Sequence, residues 1–95
     1  MEASIDQALD VAFSQEGVSG VLCTDEKGLC LGLRGDANES VAAVISSMIN
    51  AGVSLSTTGT YPILTIETDT HVIHAKRNGK IIVAILKAVG DESEQ

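Results

Sequence analysis

Apolar positions at the start of the chain recur with a helical period. Ile5, Ala8, Leu9, Ala12 and Phe13 fall at the i, i+3, i+4, i+7, i+8 spacing that gathers side chains into one buried stripe. Ser4 with Gln7 fits a capping box and Gly17 supplies a stop, so the pattern predicts a helix from Ser4 to about Gln15. The period then drops to two. Val18 to Asp25 is β-branched and apolar on both alternating faces, the mark of a strand covered on both sides. Glu26, Lys27 and Gly28 make a turn. Leu29, Leu31 and Leu33 then alternate with Cys30, Gly32 and Arg34, a second strand with one apolar face, and the two strands read as an antiparallel hairpin.

Asp36 and Glu39 precede the next apolar-periodic stretch as an N-cap and its reciprocal acid. Val41, Val44, Ile45, Met48, Gly52 and Leu55 continue one stripe of this second helix, while Ser46, Ser47 and Asn50 lie off it. Ser56 to Thr60 is a polar loop, and Tyr61-Pro62 opens a third strand, Ile63 to Thr68, at a place where proline is tolerated. Asp69 and Thr70 turn into a fourth strand, His71 to Arg77. Asn78-Gly79 is a strong hairpin signal, and Lys80 to Lys87 is the fifth strand. Ile81, Val83 and Ile85 on one face and Ile82, Ala84 and Leu86 on the other place that last strand in the middle of a sheet. The order α-β-β-α-β-β-β predicts an α/β (α+β) domain with a five-stranded, mainly antiparallel sheet. Two strands apolar on both faces require helices on opposite faces.

Composition narrows the function classes. At 95 residues the chain reads as a single domain over 1–90, followed by an acidic tail, Asp91 to Gln95, too polar to order itself. Aromatic residues make up 2%, namely Phe13 and Tyr61, so no stacking platform for bases is available, and a net charge of −7 repels a phosphate backbone. Nucleic acid is not an expected partner. The longest apolar run, Ile81 to Leu86, is far short of the ~20 residues that span a bilayer. No signal-peptide pattern or lipidation motif is present, so the expectation is a cytoplasmic chain with no direct membrane insertion. Cys23 and Cys30 are expected to be packed thiols, cross-strand neighbours if the hairpin is symmetric about Glu26 and Lys27.

The chemistry-bearing motifs have plain structural readings. Gly28, Gly32 and Gly35 are misspaced for a dinucleotide fingerprint, and no Walker A pattern occurs. His71 and His74, three apart on a strand, point to opposite faces and make a poor chelate. Arg34-Gly35-Asp36 and Asn38-Glu39-Ser40 read as a strand end and a helix cap rather than as adhesion and glycosylation signals. No Ser/His/Asp or Cys/His set stands out. The expectation is a binding module that is not an enzyme, with no cofactor, no metal and no catalytic residue.

One stretch is specific. Gly20-Val21-Leu22-Cys23-Thr24-Asp25, followed after two residues by Gly28-Leu29-Cys30-Leu31-Gly32-Leu33-Arg34-Gly35, closely resembles the hairpin of the roadblock/LC7 family, in the form found in the late-endosomal and lysosomal adaptor Ragulator. Val44-Ile45-Ser46, Pro62, Glu67, Asp69, Asn78-Gly79 and Val83-Ala84 extend the similarity over nearly the whole chain. Cys30 departs from the polar residue usual at its position. The resemblance implies a roadblock fold with strand order 2-1-5-4-3, which agrees with the burial pattern of the first and fifth strands.

It also implies a function. Family members pair through their third strands and second helices, which places the expected interface here on Val41, Val44, Ile45, Met48 and Ile49 of the helix and on Tyr61, Ile63, Leu64, Thr65, Ile66 and Glu67 of the strand. The expected partner is a sister roadblock subunit. That heterodimer would join other Ragulator subunits, including the lipidated scaffold chain, at the lysosomal surface and help hold Rag GTPases for amino-acid activation of the TOR kinase complex. The alternative within the family is a homodimeric regulator of a small GTPase or a transport motor. A ligand-binding domain of similar shape would require a concave apolar pocket with convergent polar groups.

Overall fold

Helices and strands follow the two periods closely. The computed structural model describes residues 2–55 and 63–89. In chain order these form α1 (Glu2–Phe13), β1 (Gly20–Asp25), β2 (Cys30–Gly35), α2 (Ser40–Leu55), β3 (Ile63–Glu67), β4 (His71–Asn78) and β5 (Ile81–Ala88). The strands make one five-stranded sheet in the order β2-β1-β5-β4-β3, and every neighbouring pair is antiparallel. The expected order and the central place of β1 and β5 are therefore correct. The loop Ser56 to Thr60, Tyr61-Pro62 and the tail Asp91 to Gln95 lie outside the described residues.

Each helix covers one face. Leu9 of α1 packs with Val21 and Cys23 of β1, flanked by Ile5, Ala12, Val18, Ile81 and Val83. On the other face Ala42, Ile45 and Ile49 of α2 pack with Leu22, Ile73, Ala75, Ile82, Ala84 and Leu86. The alternating apolar residues of β5 thus enter two separate cores, which explains why that strand has no polar face.

Several boundaries and caps differ from expectation. α1 begins at Glu2, so Ser4 lies inside the helix, and it ends at Phe13, where Ser14 and Gln15 side chains donate to the Val11 carbonyl and Gly17 turns at φ 87°. Glu and Ala extend a helix readily, which carries the start past Ser4. α2 is capped by Asn38, whose Oδ1 accepts from the Ser40 amide at 2.9 Å. Asp36 instead points its carboxylate at the His71 ring, 3.2 Å away. The β4–β5 hairpin pairs Asn78 with Ile81, so the two loop residues are Gly79 and Lys80, with the positive φ of 67° on Gly79.

The largest correction is in β2. Cys23 faces Gly32 but Thr24 faces Cys30, so Leu31 is an extra residue in a bulge. The bulge inverts the side-chain alternation. Cys30 and Leu33 both pack toward the α2 core, while Leu29 and Leu31 are exposed at 64% and 38%. The apolar face expected from Leu29, Leu31 and Leu33 does not form. For the same reason Cys23 and Cys30 are not opposite each other: Cys23 belongs to the α1 core and Cys30 to the α2 side. Burial raises the Cys23 thiol above its ordinary pKa, and its neighbour Cys30 adds to this.

Candidate functional site

β3 is an edge strand, and the direction of its unpaired backbone groups follows from one bond. The Thr68 amide donates to the His71 carbonyl at 2.8 Å. Residues along an antiparallel pair alternate between bonded and non-bonded positions, so Leu64 opposite Ala75 and Ile66 opposite Ile73 also turn their N–H and C=O groups toward β4. Ile63, Thr65 and Glu67 turn theirs outward. Side chains alternate as well. Leu64 and Ile66 pack toward the α2 core, whereas Ile63, Thr65 and Glu67 share the opposite face with Lys76, His74 and Val72 of β4. The Thr65 hydroxyl lies 3.3 Å from His74 Nδ1.

α2 lies with a defined rotation. Its buried stripe is Ala42, Ile45, Ser46 and Ile49. At 3.6 residues per turn, Ser46 and Asn50 lie on one flank of the helix and Val41, Val44 and Met48 on the other. The polar flank is anchored. Ser46 Oγ and Asn50 Nδ2 each donate to the Glu26 carbonyl at 2.8 Å, in the β1–β2 turn. Arg77, with a side chain 13% exposed, donates from Nη1 to Asn50 Oδ1 at 2.7 Å, from Nη2 to Glu26 Oε1 at 2.7 Å and from Nε to the Gly79 carbonyl at 2.8 Å. This clasp ties α2 to the β1–β2 and β4–β5 turns. Because β1 and β3 lie on opposite sides of the sheet centre, the other flank faces the β3 side.

That flank is apolar and open. Val44 and Met48 are 49% and 45% exposed, and Ile63 on the edge strand is 68% exposed. A helix flank and an edge strand therefore present apolar side chains and outward backbone groups in the same direction. Large exposed side chains beside an unpaired edge are an interaction surface.

Of the expected interface residues, Val44, Met48, Ile63, Thr65 and Glu67 lie on this surface. Val41, Leu64 and Ile66 are half-buried behind it. Ile45 and Ile49 are a correction: both are 0% exposed within this chain's own core and offer no surface to a partner. The sheet needs them, because α2 covers β1, β5 and β4 with a single stripe. Tyr61 lies outside the described residues. Sequence reasoning missed the clasp, although a polar Ser46 and Asn50 at i, i+4 on an otherwise apolar helix were its signal.

Other chemistry is sparse. Among the described residues no group of three or more His, Cys, Asp and Glu side chains is placed to hold a metal ion, and no helix is long and apolar enough to cross a membrane. An open groove beside α1 is lined by Ala8, Val11, Ala12 and Ile85, with Gln7, Asp10 and Gln15 at its border. Arg34 pairs with Asp10 at 2.9 Å and Asp6 at 3.4 Å, and the hydrogen bond to Asp10 raises its pKa further.

Comparison with known proteins places this edge in a family. The family model described as Ragulator complex protein LAMTOR5 matches residues 1–87. The chain belongs to the LAMTOR5 family. Ragulator complex protein LAMTOR5 of Xenopus tropicalis is 32% identical over 88 residues, covering 92% of this chain and 97% of that protein. The LAMTOR5 homolog of Dictyostelium discoideum is 37% identical over 73 residues, 77% of this chain and 82% of that one. Among solved structures, a roadblock/LC7 domain from Streptomyces avermitilis superposes with a TM-score of 0.75 at 14% identity, over 94% of this chain and 82% of that one. The gliding protein MglB of Thermus thermophilus gives 0.76 at 11% identity, over 92% and 73%. The fold of this LAMTOR5 family member is the roadblock/LC7 fold.

Proposed function

We propose that the chain is a non-catalytic scaffold subunit of Ragulator that pairs with a sister roadblock subunit through β3 and the Val44–Met48 flank of α2. The observation that carries this is the shared direction of the outward Ile63, Thr65 and Glu67 backbone groups and the exposed apolar flank of α2. Family membership supplies the complex. In this reading the heterodimer assembles with the lipidated scaffold chain at the lysosomal surface and contributes to holding Rag GTPases for TOR activation. Membrane residence comes from partners, and no residue of this chain performs chemistry on nucleotide.

Co-purification of the tagged chain from cells, with mass spectrometry of the intact complex, tests the reading. It predicts a stoichiometric sister roadblock chain together with the lipidated scaffold, both lost with Val44→Asp. Recovery of a motor or a GTPase regulator without these chains would favour the homodimeric alternative. A chain without a phosphate-binding motif should also bind no GTP when pure, and saturable heat on titration by calorimetry would contradict that.

A further inference from the structure

The exposed charges beside the β3 edge are arranged by end. Glu67, on β3, and Asp69, in the β3–β4 turn, lie at the end near the start of α2, which His71 marks by its contact with Asp36. Lys76 lies opposite Ile63 at the other end, followed by Lys80 in the β4–β5 turn. Glu67 and Lys76 are on the same sheet face, both exposed, and the single strand-spacing between β3 and β4 separates their rows.

Resting on the reading of β3 as the pairing edge, we infer that this edge is self-complementary and that a second copy of this chain pairs with it antiparallel, with Thr65 facing Thr65 and Glu67 of each copy directed at Lys76 of the other. Three arguments fix the arrangement. Antiparallel pairing about an axis normal to the sheet keeps both α2 helices on one side, so the Val44–Met48 flanks meet, whereas a parallel pair would separate them. Residues facing each other across the pair must share a sheet face. Among the registers that satisfy this, only the one centred on Thr65 matches all outward residues, Ile63 with Glu67, Thr65 with Thr65 and Glu67 with Ile63, each pair exchanging both backbone bonds.

The charges then fall into place. Ile63 of one copy lies beside Glu67 of the other, and Lys76 is the next residue in that row, two strand spacings or about 9.6 Å from Glu67 between Cα atoms. Extended Lys and Glu side chains on one face span that separation. Within its own chain Glu67 has Lys87 at the same remove, across Val72. Pairing therefore sets Glu67 between two lysines and gives Lys76 an anion. A parallel neighbour would set Glu67 beside Glu67. Glu67 and Lys76 are thus orientation-determining residues of the edge, and the self-pair is the form of the chain without a sister subunit.

Sedimentation equilibrium of the full chain at low and high salt tests this with Glu67→Lys, Lys76→Glu and the double exchange. The wild type should dimerise, less tightly in high salt. Each single exchange, which removes two symmetric ion pairs and sets like charges together, should weaken dimerisation about tenfold at low salt, and the double exchange should recover to within about threefold of wild type. Lys76→Glu is the cleaner single, because it leaves Lys87 beside Glu67. A monomeric wild type, or a double exchange no better than the weaker single, would overturn the proposal. Thr65→Pro separates the two levels: if it leaves the dimer intact, β3 is not the pairing edge at all. If it abolishes the dimer while the charge exchanges are without effect, the edge stands and the charge polarity does not.

Discussion

Gly35 closes β2 at φ 64°, and a Cβ built there would lie 2.3 Å from the Ser19 carbonyl and 2.6 Å from the Phe13 ring. Gly17 has a comparable φ of 87° but nothing within 4 Å. The two glycines separate backbone strain from steric exclusion. Gly17→Ala should cost about 1–2 kcal/mol, the left-handed penalty alone. Gly35→Ala must also displace backbone, and should lose at least about 3 kcal/mol, lowering the melting temperature by roughly 12 °C or more in a domain of this size. Thermal denaturation of both variants checks the difference, and equal losses would mean that the β2 end yields easily.

Asp25 acts at the same scale. Its Oδ1 accepts from the Leu29 and Lys27 amides, each at 2.9 Å, and the bond from Leu29 leads in holding its carboxyl below the ordinary range. A depressed folded-state pKa means stabilisation that is complete above the unfolded value of about 3.9 and is lost as pH falls through the folded one. The melting-temperature gap between wild type and Asp25→Asn should therefore be flat above about pH 5 and shrink only in stronger acid. A gap that closed between pH 5 and 7 would assign the effect to another group.

At the level of elements, the outward and inward residues of β3 give proline substitutions of different kinds. Leu64→Pro removes a donor to β4 and disturbs a side chain packed toward the core, so it should lose the cooperative fold. Thr65→Pro removes an outward donor. It should keep the circular dichroism spectrum of the wild type while failing to pair. Similar spectra and equal pairing for both variants would contradict the derived alternation. α2 depends on its clasp. Arg77→Met leaves Glu26 and Asn50 without their guanidinium and should cost about 2–3 kcal/mol, with Lys only partly restoring it because an ammonium cannot match the fork. Urea unfolding measures both.

The elements also show what periodicity carries and what it leaves out. Apolar spacing located both helices and all the strands to within a few residues, because burial on one or two faces writes a period into the sequence. It failed where one residue changes parity. The bulge at Leu31 turned an apparent apolar face into two exposed leucines, and no local pattern marks a bulge. Ile45 and Ile49 read as surplus apolar residues on α2, yet the sheet beneath uses both. The rotation of a helix is set by tertiary bonds such as those from Arg77, which join residues far apart in sequence. Glu26 and Arg77 carry no signal until the turns that hold them are brought together.

For the whole molecule, each face of the sheet carries one helix, and α1 and α2 are held toward the β1–β2 side by Arg34 with Asp6 and Asp10 and by the Arg77 clasp. β3 and the Val44–Met48 flank are left as the open side of the domain. Pairing there would extend the sheet and cover the exposed apolar flank at once, which is why the function proposed is assembly. The measurement closest to this claim is amide hydrogen exchange, resolved to single residues, on the isolated monomer and on the chain within its co-purified complex. The account predicts that Leu64 and Ile66 exchange slowly in both, whereas Thr65 and Glu67 exchange rapidly in the monomer and become protected in the complex. Thr65 and Glu67 amides that exchange as fast in the complex as in the monomer would contradict it.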